Sequence, residues 1–286
     1  MQKRTDLALE QREMHDTLPE GVDCEEIKKG QAVITKITVK NEFGAAALNK
    51  PIGVYITIEV PPFTDSLGDE ELISALAENL SELIPKKGSA LIVGLGNREI
   101  TPDALGPKAA AEILATRQIG PELQRIAGIE GIRSVSVLAP GVLGQTGIEV
   151  FNVLHALTQE IKPCFLIVID ALASRYLKRL GCTVQMCDSG IEPGAGVGNA
   201  RKEISQKTLG VPVIAIGVPT VVDAATLVTD LTGGDGKIAE PDGRQMIVTP
   251  REVDLLISRA ASVIADCINR ALHPEIHPEL IKELLS

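Results

Sequence analysis

The sequence predicts an α/β fold: a three-layer sandwich in which helices flank a mainly parallel sheet, with a small N-terminal β element added. Three observations carry that prediction. Short apolar runs alternate with helical periodicities along the chain. Several of those runs end in glycine or in an acid, as strands buried on both faces do. The core must also be aliphatic: 44% of the 286 residues are hydrophobic, yet aromatics are 2% and Trp is absent.

In chain order, residues 1–30 are polar and read as a surface-lying segment, with a helix-forming stretch at Asp6 to Met14. Gln31 to Val39 and Pro51 to Val60 alternate and are rich in β-branched residues. They read as strands with one wet face, either at a sheet edge or in a small separate sheet, joined by a turn at Asn41 to Asn49. Asp69 to Ile84 repeats its apolar residues at helical spacing, with acids at the start. Ala90 to Val93 is the central buried strand, followed by a loop and a helix over Lys108 to Ala115 opened by Pro107. Ser134 to Ala139, Cys164 to Ile169, Thr183 to Met186 and Val213 to Ile216 read as further strands. Helices are expected at Ile148 to Ile161, Ala171 to Leu180, Val221 to Thr229, Arg251 to Leu272 and Pro278 to Leu285. The whole chain is expected to form one domain, with residues 1–62 and 231–286 as peripheral additions.

Composition excludes several classes. The net charge is −10, and no basic stretch is dense enough to track a phosphate backbone, so no direct nucleic-acid binding is expected. Apolar runs fall short of the ~20 residues that span a bilayer, and the N-terminus has no apolar signal segment. A cytoplasmic protein is expected. The five cysteines, Cys24, Cys164, Cys182, Cys187 and Cys267, form no CxxC pair and are odd in number; they fit a reducing compartment, with Cys164 and Cys267 as small buried residues. Gly94-Leu95-Gly96-Asn97 is not a dinucleotide fingerprint, because Glu99 stands where a third glycine is needed. No P-loop and no GxSxG elbow occur.

Two acids stand out. Asp103 lies in the loop after the central strand, and Asp170 directly follows the apolar run Phe165 to Ile169. Ligands in open α/β sheets bind beyond the carboxyl ends of strands. Taken singly, Asp103 also suits a turn after Pro102 and Asp170 a helix N-cap. Taken together, two carboxylates on one rim can divide acid and base roles on an attacking water. The same pair, with His155 as third ligand, is also a set for a divalent metal, although His155 fits a partly buried structural role. His15, His273 and His277 read as surface residues. Asn97 is expected to fix the loop geometry. The glycine-rich loop at residues 188–202, with Asp188, Gly194, Gly196, Gly198 and Asn199, is expected to line a substrate groove and to present backbone N–H groups. No metal and no cofactor are expected.

Seven motifs in order carry a resemblance. They are Gly94-Leu-Gly-Asn97, Thr101-Pro-Asp-Ala-Leu-Gly-Pro107, Ala139-Pro-Gly-Val142, Gly144-Gln-Thr-Gly-Ile-Glu149, Ile169-Asp-Ala-Leu-Ala173, Gly194-Ala-Gly-Val-Gly-Asn199 and the run from Gly210 to Ala224. Over residues 4–230 the chain resembles the germination protease family of spore-forming bacteria, and Arg4-Thr5-Asp6-Leu7-Ala8 looks like the start of that family's mature chain. The resemblance implies an atypical aspartic endopeptidase, with its two aspartates on Asp103 and Asp170. It implies small acid-soluble spore proteins as substrates, cleaved in the spore core during germination, and a homotetramer. It also implies a fold like that of hydrogenase maturation endopeptidases. Family members are zymogens that shed an N-terminal prosegment; only Met1, Gln2 and Lys3 precede Arg4 here, so a nearly absent prosegment is expected. The alternatives are a metal-dependent peptidase on the same acids and a non-catalytic binder of spore proteins.

Overall fold

A computed structural model describes residues 5–30, 32–65, 70–197, 201–232 and 246–285. Helix α1 (Ala8–Arg12) is followed by a hairpin of β1 (Val22–Lys29) and β2 (Ala32–Val39). Next comes α2 (Glu42–Leu48), a helix where the sequence suggests a turn: the Asn41 side chain accepts from the Gly44 N–H and starts it. Strand β3 (Gly53–Glu59) then returns beside β2. The chain continues through α3 (Glu70–Leu83), β4 (Ala90–Gly94), a 3-10 turn at Thr101–Asp103, α4 (Leu105–Ala111), α5 (Pro121–Ile126) and β5 (Val135–Leu138). After α6 (Leu143–Thr146) and α7 (Val150–Ile161) come β6 (Phe165–Ser174) and β7 (Thr183–Cys187). The remainder is α8 (Gln206–Leu209), β8 (Val213–Asp223), α9 (Ala224–Thr232), β9 (Ile247–Val248), α10 (Val253–Leu272) and α11 (Pro278–Leu285).

Among the described residues, nine strands form one sheet in the order β1-β2-β3-β7-β8-β6-β4-β5, with β9 beside β8. The fold is α/β, but the sheet is mixed rather than mainly parallel. Strands β5, β4, β6 and β8 run parallel, whereas every pair from β1 through β3 and β7 to β8 is antiparallel. The N-terminal strands are therefore not a separate element. They extend the sheet because β3 pairs with β7 from Tyr55↔Cys187 to Glu59↔Thr183.

The apolar runs read from the sequence do bury both faces. In β4, Ala90 and Ile92 join one cluster and Leu91 and Val93 the other, as alternation along a strand requires. The first cluster includes side chains of α3, α4 and α10, the second those of α7 and Leu209 of α8. The sequence places residues 231–286 at the periphery, yet α10 buries Leu256, Ile257, Val263, Ile264 and Ile268 in the larger cluster. Its apolar face is wide because it covers the middle of the sheet, not an edge.

Three further readings change. Ala171 to Ser174 continues β6 instead of starting a helix, because these residues pair with Val218 to Val222 of β8. Tertiary pairing overrides the helix-forming Ala and Leu side chains. His273 is fully buried at the end of α10, where loss of water pushes its imidazole down to about 4. Cys164 is exposed, while Cys267 is buried as expected; all five thiols are free.

Candidate active site

Strand β4 is short, and its neighbour β6 runs on past it. Gly94, the last residue of β4, pairs with Ile169, so Asp170 stands one position beyond the end of β4. There the chain leaves the sheet and opens a cleft. The Leu95 N–H still donates to the Ile169 carbonyl at 2.8 Å, then the loop turns away. Gly96 takes φ +115, and a Cβ there would stand 2.0 Å from the Asp103 carbonyl oxygen. Only glycine allows the loop to fold so tightly over the turn that carries Asp103. Helix α4 seats just as closely: a Cβ on Gly106 would lie 2.2 Å from the Leu95 oxygen.

Asp103 and Asp170 line one cavity of about 410 Å³. The Asp103 Oδ2 accepts from the Asn97 N–H at 2.7 Å. Asn97 also lines the cavity; its Oδ1 accepts from the Glu99 N–H at 3.0 Å and from Gln145 Nε2 at 2.7 Å. Asp170 Oδ1 accepts from the Ala171 N–H at 2.9 Å, so it caps no helix. Burial raises the carboxyl of Asp103, against the Asn97 N–H that lowers it. Asp170 is raised well above the ordinary carboxylate range, first by burial, then by the charges of Asp103 and Asp6. Two acids at one cavity with their proton affinities pushed upward, one much further than the other, can divide the roles of proton donor and proton acceptor.

Asp6 is a third acid on this wall that the sequence does not single out. It reaches the site through nonlocal backbone pairing: its N–H donates to the Ala173 carbonyl at 2.9 Å, and its Oδ2 accepts from the Ala173 N–H at 2.8 Å. Burial raises its carboxyl, opposed by the charge of Lys50 and by the Ala173 and Gly196 N–H groups. The only sequence signal was the position of Asp6 inside the Arg4 to Ala8 motif.

The glycine loop is brought in only in part. Gly194 lines the cavity. Gly196 abuts Asp6, where a Cβ would stand 2.1 Å from Oδ2. Asp188 is exposed and is absent from the cavity wall; its carboxylate accepts from the Val54 N–H at 2.7 Å and ties β3 to the end of β7. Gly198 and Asn199 lie outside the described residues. His155 is exposed on α7, against Phe151 with ring centroids 5.8 Å apart, and does not line the cavity. It is neither partly buried nor placed beside the two acids. Among the described residues, no group of three or more His, Cys, Asp or Glu side chains is arranged to hold a metal ion.

The rest of the lining is mixed. Val142, Leu143, Ile100 and Ile247 supply apolar surface, and Arg201 and Lys202 supply positive charge. Lys202 Nζ lies 3.5 Å from the centre of the Phe151 ring. Among the described residues, no helix is long and apolar enough to cross a membrane.

A family model described as germination protease matches residues 2–233. The germination protease of Clostridium tetani (strain Massachusetts / E88) is 41% identical over 325 residues, covering 100% of both chains. That of Caldanaerobacter subterraneus subsp. tengcongensis is 42% identical over 318 residues, covering 99% of this chain and 98% of its own. Among solved structures, the [NiFe] hydrogenase maturation protease HycI from Thermococcus kodakarensis KOD1 aligns with a TM-score of 0.39 at 18% identity, over 68% of this chain and 98% of that one.

Proposed function

The chain belongs to the germination protease family, and on that premise we propose that it is an aspartic-type endopeptidase whose water is activated by Asp103 and Asp170. The single observation that carries this reading is the placement of both acids on one cavity, with Asp170 the more strongly raised. Asp170, the more strongly raised of the two, holds the proton and donates a hydrogen bond to the scissile carbonyl. Asp103, ionised and fixed by the Asn97 N–H, takes a proton from the attacking water. The proton on Asp103 then passes to the leaving amine as the tetrahedral intermediate collapses.

Small acid-soluble spore proteins are the substrates in this reading, cut in the core of the germinating spore. The cavity supports a peptide of mixed character: its apolar side suits an aliphatic side chain, and Arg201 and Lys202 suit an acidic one. Backbone N–H groups near Gly194 would face the substrate chain. One peptidase domain with a three-layer arrangement, assembled as a homotetramer, completes the proposal.

The test is cleavage of a purified small acid-soluble spore protein by wild type, Asp103→Asn and Asp170→Asn, each with and without EDTA. Each substitution is expected to lower kcat by about 10³-fold or more, with EDTA without effect on wild type. Full activity in either variant would sink the aspartate pair. Inhibition by EDTA would turn the same carboxylates into metal ligands.

A further inference from the structure

Strands β6 and β8 run in parallel register from Leu166↔Val213 to Leu172↔Pro219 and resume at Ala173↔Val221. Thr220 is the residue left over, the extra position of a β-bulge. Bulges of this kind interrupt a ladder and re-aim a side chain, and parallel ones are rare. Pro219, which has no N–H to give a ladder, precedes it. Thr220 is fully buried yet contributes to the cavity wall. Its hydroxyl donates to the Pro102 carbonyl at 2.8 Å, one residue before Asp103. Its own carbonyl accepts from the Thr249 hydroxyl at 3.0 Å, just past β9. A relay therefore runs from Thr249 through the bulge to the 3-10 turn.

That turn packs against α10 and α4, and among the described residues few other hydrogen bonds hold it. Within it, the Asp103 N–H bonds the Ile100 carbonyl at 2.8 Å and the Ala104 N–H bonds the Thr101 carbonyl at 3.1 Å. On the side toward β4, the Asn97 N–H holds the Asp103 carboxylate. On the side toward β8, the Pro102 carbonyl is held by Thr220. Because β8 also pairs with β6 at Asp170↔Gly217, the hydroxyl ties the turn of one acid to the strand that flanks the other.

We propose that Thr220 is a positioning residue: its bulged hydroxyl fixes the turn so that Asp103 addresses the same point as Asp170. This rests on the reading that Asp103 takes part in the reaction. A small displacement of a reacting group is enough to slow a step while leaving substrate binding intact.

The experiment measures kcat and KM on a small acid-soluble spore protein for wild type, Thr220→Val, Thr220→Ser and Asp103→Asn, with thermal unfolding of each. Thr220→Val keeps the shape and removes the hydroxyl; kcat is expected to fall about tenfold with KM unchanged. Thr220→Ser restores the donor and is expected to stay within about twofold of wild type. Wild-type kcat in Thr220→Val, a loss confined to KM, or an equal loss in Thr220→Ser would overturn the proposal. An inactive Asp103→Asn beside a fully active Thr220→Val would remove Thr220 alone, whereas an active Asp103→Asn would remove the reading of Asp103 and this inference with it. Should Thr220→Val not fold, Thr249→Val interrupts the relay from outside the cavity: a fall in kcat of about threefold supports the proposal, and no change overturns it.

Discussion

Asp6, Asp103 and Asp170 line one cavity; burial raises all three, and the charges of Asp103 and Asp6 raise Asp170 further. The Asp6 charge adds to the raising of Asp170. Asp6→Asn removes that charge while its amide oxygen can still accept from the Ala173 N–H. Asp170 then loses its proton at lower pH, and the alkaline fall in activity moves toward acid. A pH–rate profile of the variant checks this, and an unmoved alkaline limb would contradict it. The two acids proposed for catalysis stand out in the sequence because Asp103 lies in the loop after one apolar run and Asp170 directly follows another; Asp170 is within β6, one position beyond the end of β4. Asp6 was not, because nothing in its own surroundings marks a cleft: its position depends on Ala173, 167 residues away. Asp188 erred the other way. Its glycine-rich context suggested a groove, but its carboxylate serves the backbone of β3.

The elements show the same division between local and nonlocal causes. The apolar strands β4, β6 and β8 could be read because burial on both faces leaves a continuous aliphatic run. Strand β1 could not: from Glu25 to Lys29 it is exposed and, but for Ile27, charged, as an edge strand should be, and only its pairing with β2 reveals it. Helix α10 was read as a helix but not as the piece that braces α4. Asn269, buried on α10, accepts from the Leu114 N–H at 3.0 Å and donates to the Glu112 carbonyl at 3.0 Å. These groups lie just beyond the end of α4, the helix that follows Asp103. Asn269→Leu leaves both backbone groups without their partner and is expected to lower the unfolding free energy by about 2 kcal/mol. Denaturant unfolding measures it. Because Asn269 does not line the cavity, kcat is expected to hold; an unchanged midpoint would show that α4 is secured by packing alone.

For the molecule as a whole, the N-terminal segment and the site load the fold with buried acids. Glu10 is fully buried, raised by that burial, and held by Thr5, by the Arg175 and Tyr176 N–H groups and by Arg179. Arg179 is itself buried and meets Glu13 at 2.6 Å and Glu59 at 2.7 Å. With Asp6, Asp103 and Asp170, four carboxyls are thus raised in the folded state. A raised carboxyl binds its proton more tightly folded than unfolded. Its contribution is full below the unfolded values, near 3.8 for Asp and 4.5 for Glu, and is lost as pH rises through the folded value. The net charge of −10 pushes in the same direction, since acidification relieves self-repulsion. The exposed Glu70, lowered by Arg270, opposes this only once the pH falls through its own range, and solvent screens it. His273, held down to about 4 by burial, also opposes this below its ordinary value of 6.5, where the unfolded chain takes up a proton that the folded chain does not. Stability is therefore expected to rise as the pH falls through the raised values of these carboxyls toward about 6.5. Asp170→Asn isolates the share held by the site. An amide there is neutral without taking up a proton on folding, so at neutral pH the variant should be more stable than wild type by about 1–2 kcal/mol and should lose part of the pH slope. Melting curves across that range decide it. A variant no more stable than wild type, with the same slope, would mean that the cavity holds Asp170 ionised at no cost, and the proton assigned to it in the mechanism would have to move to Asp103.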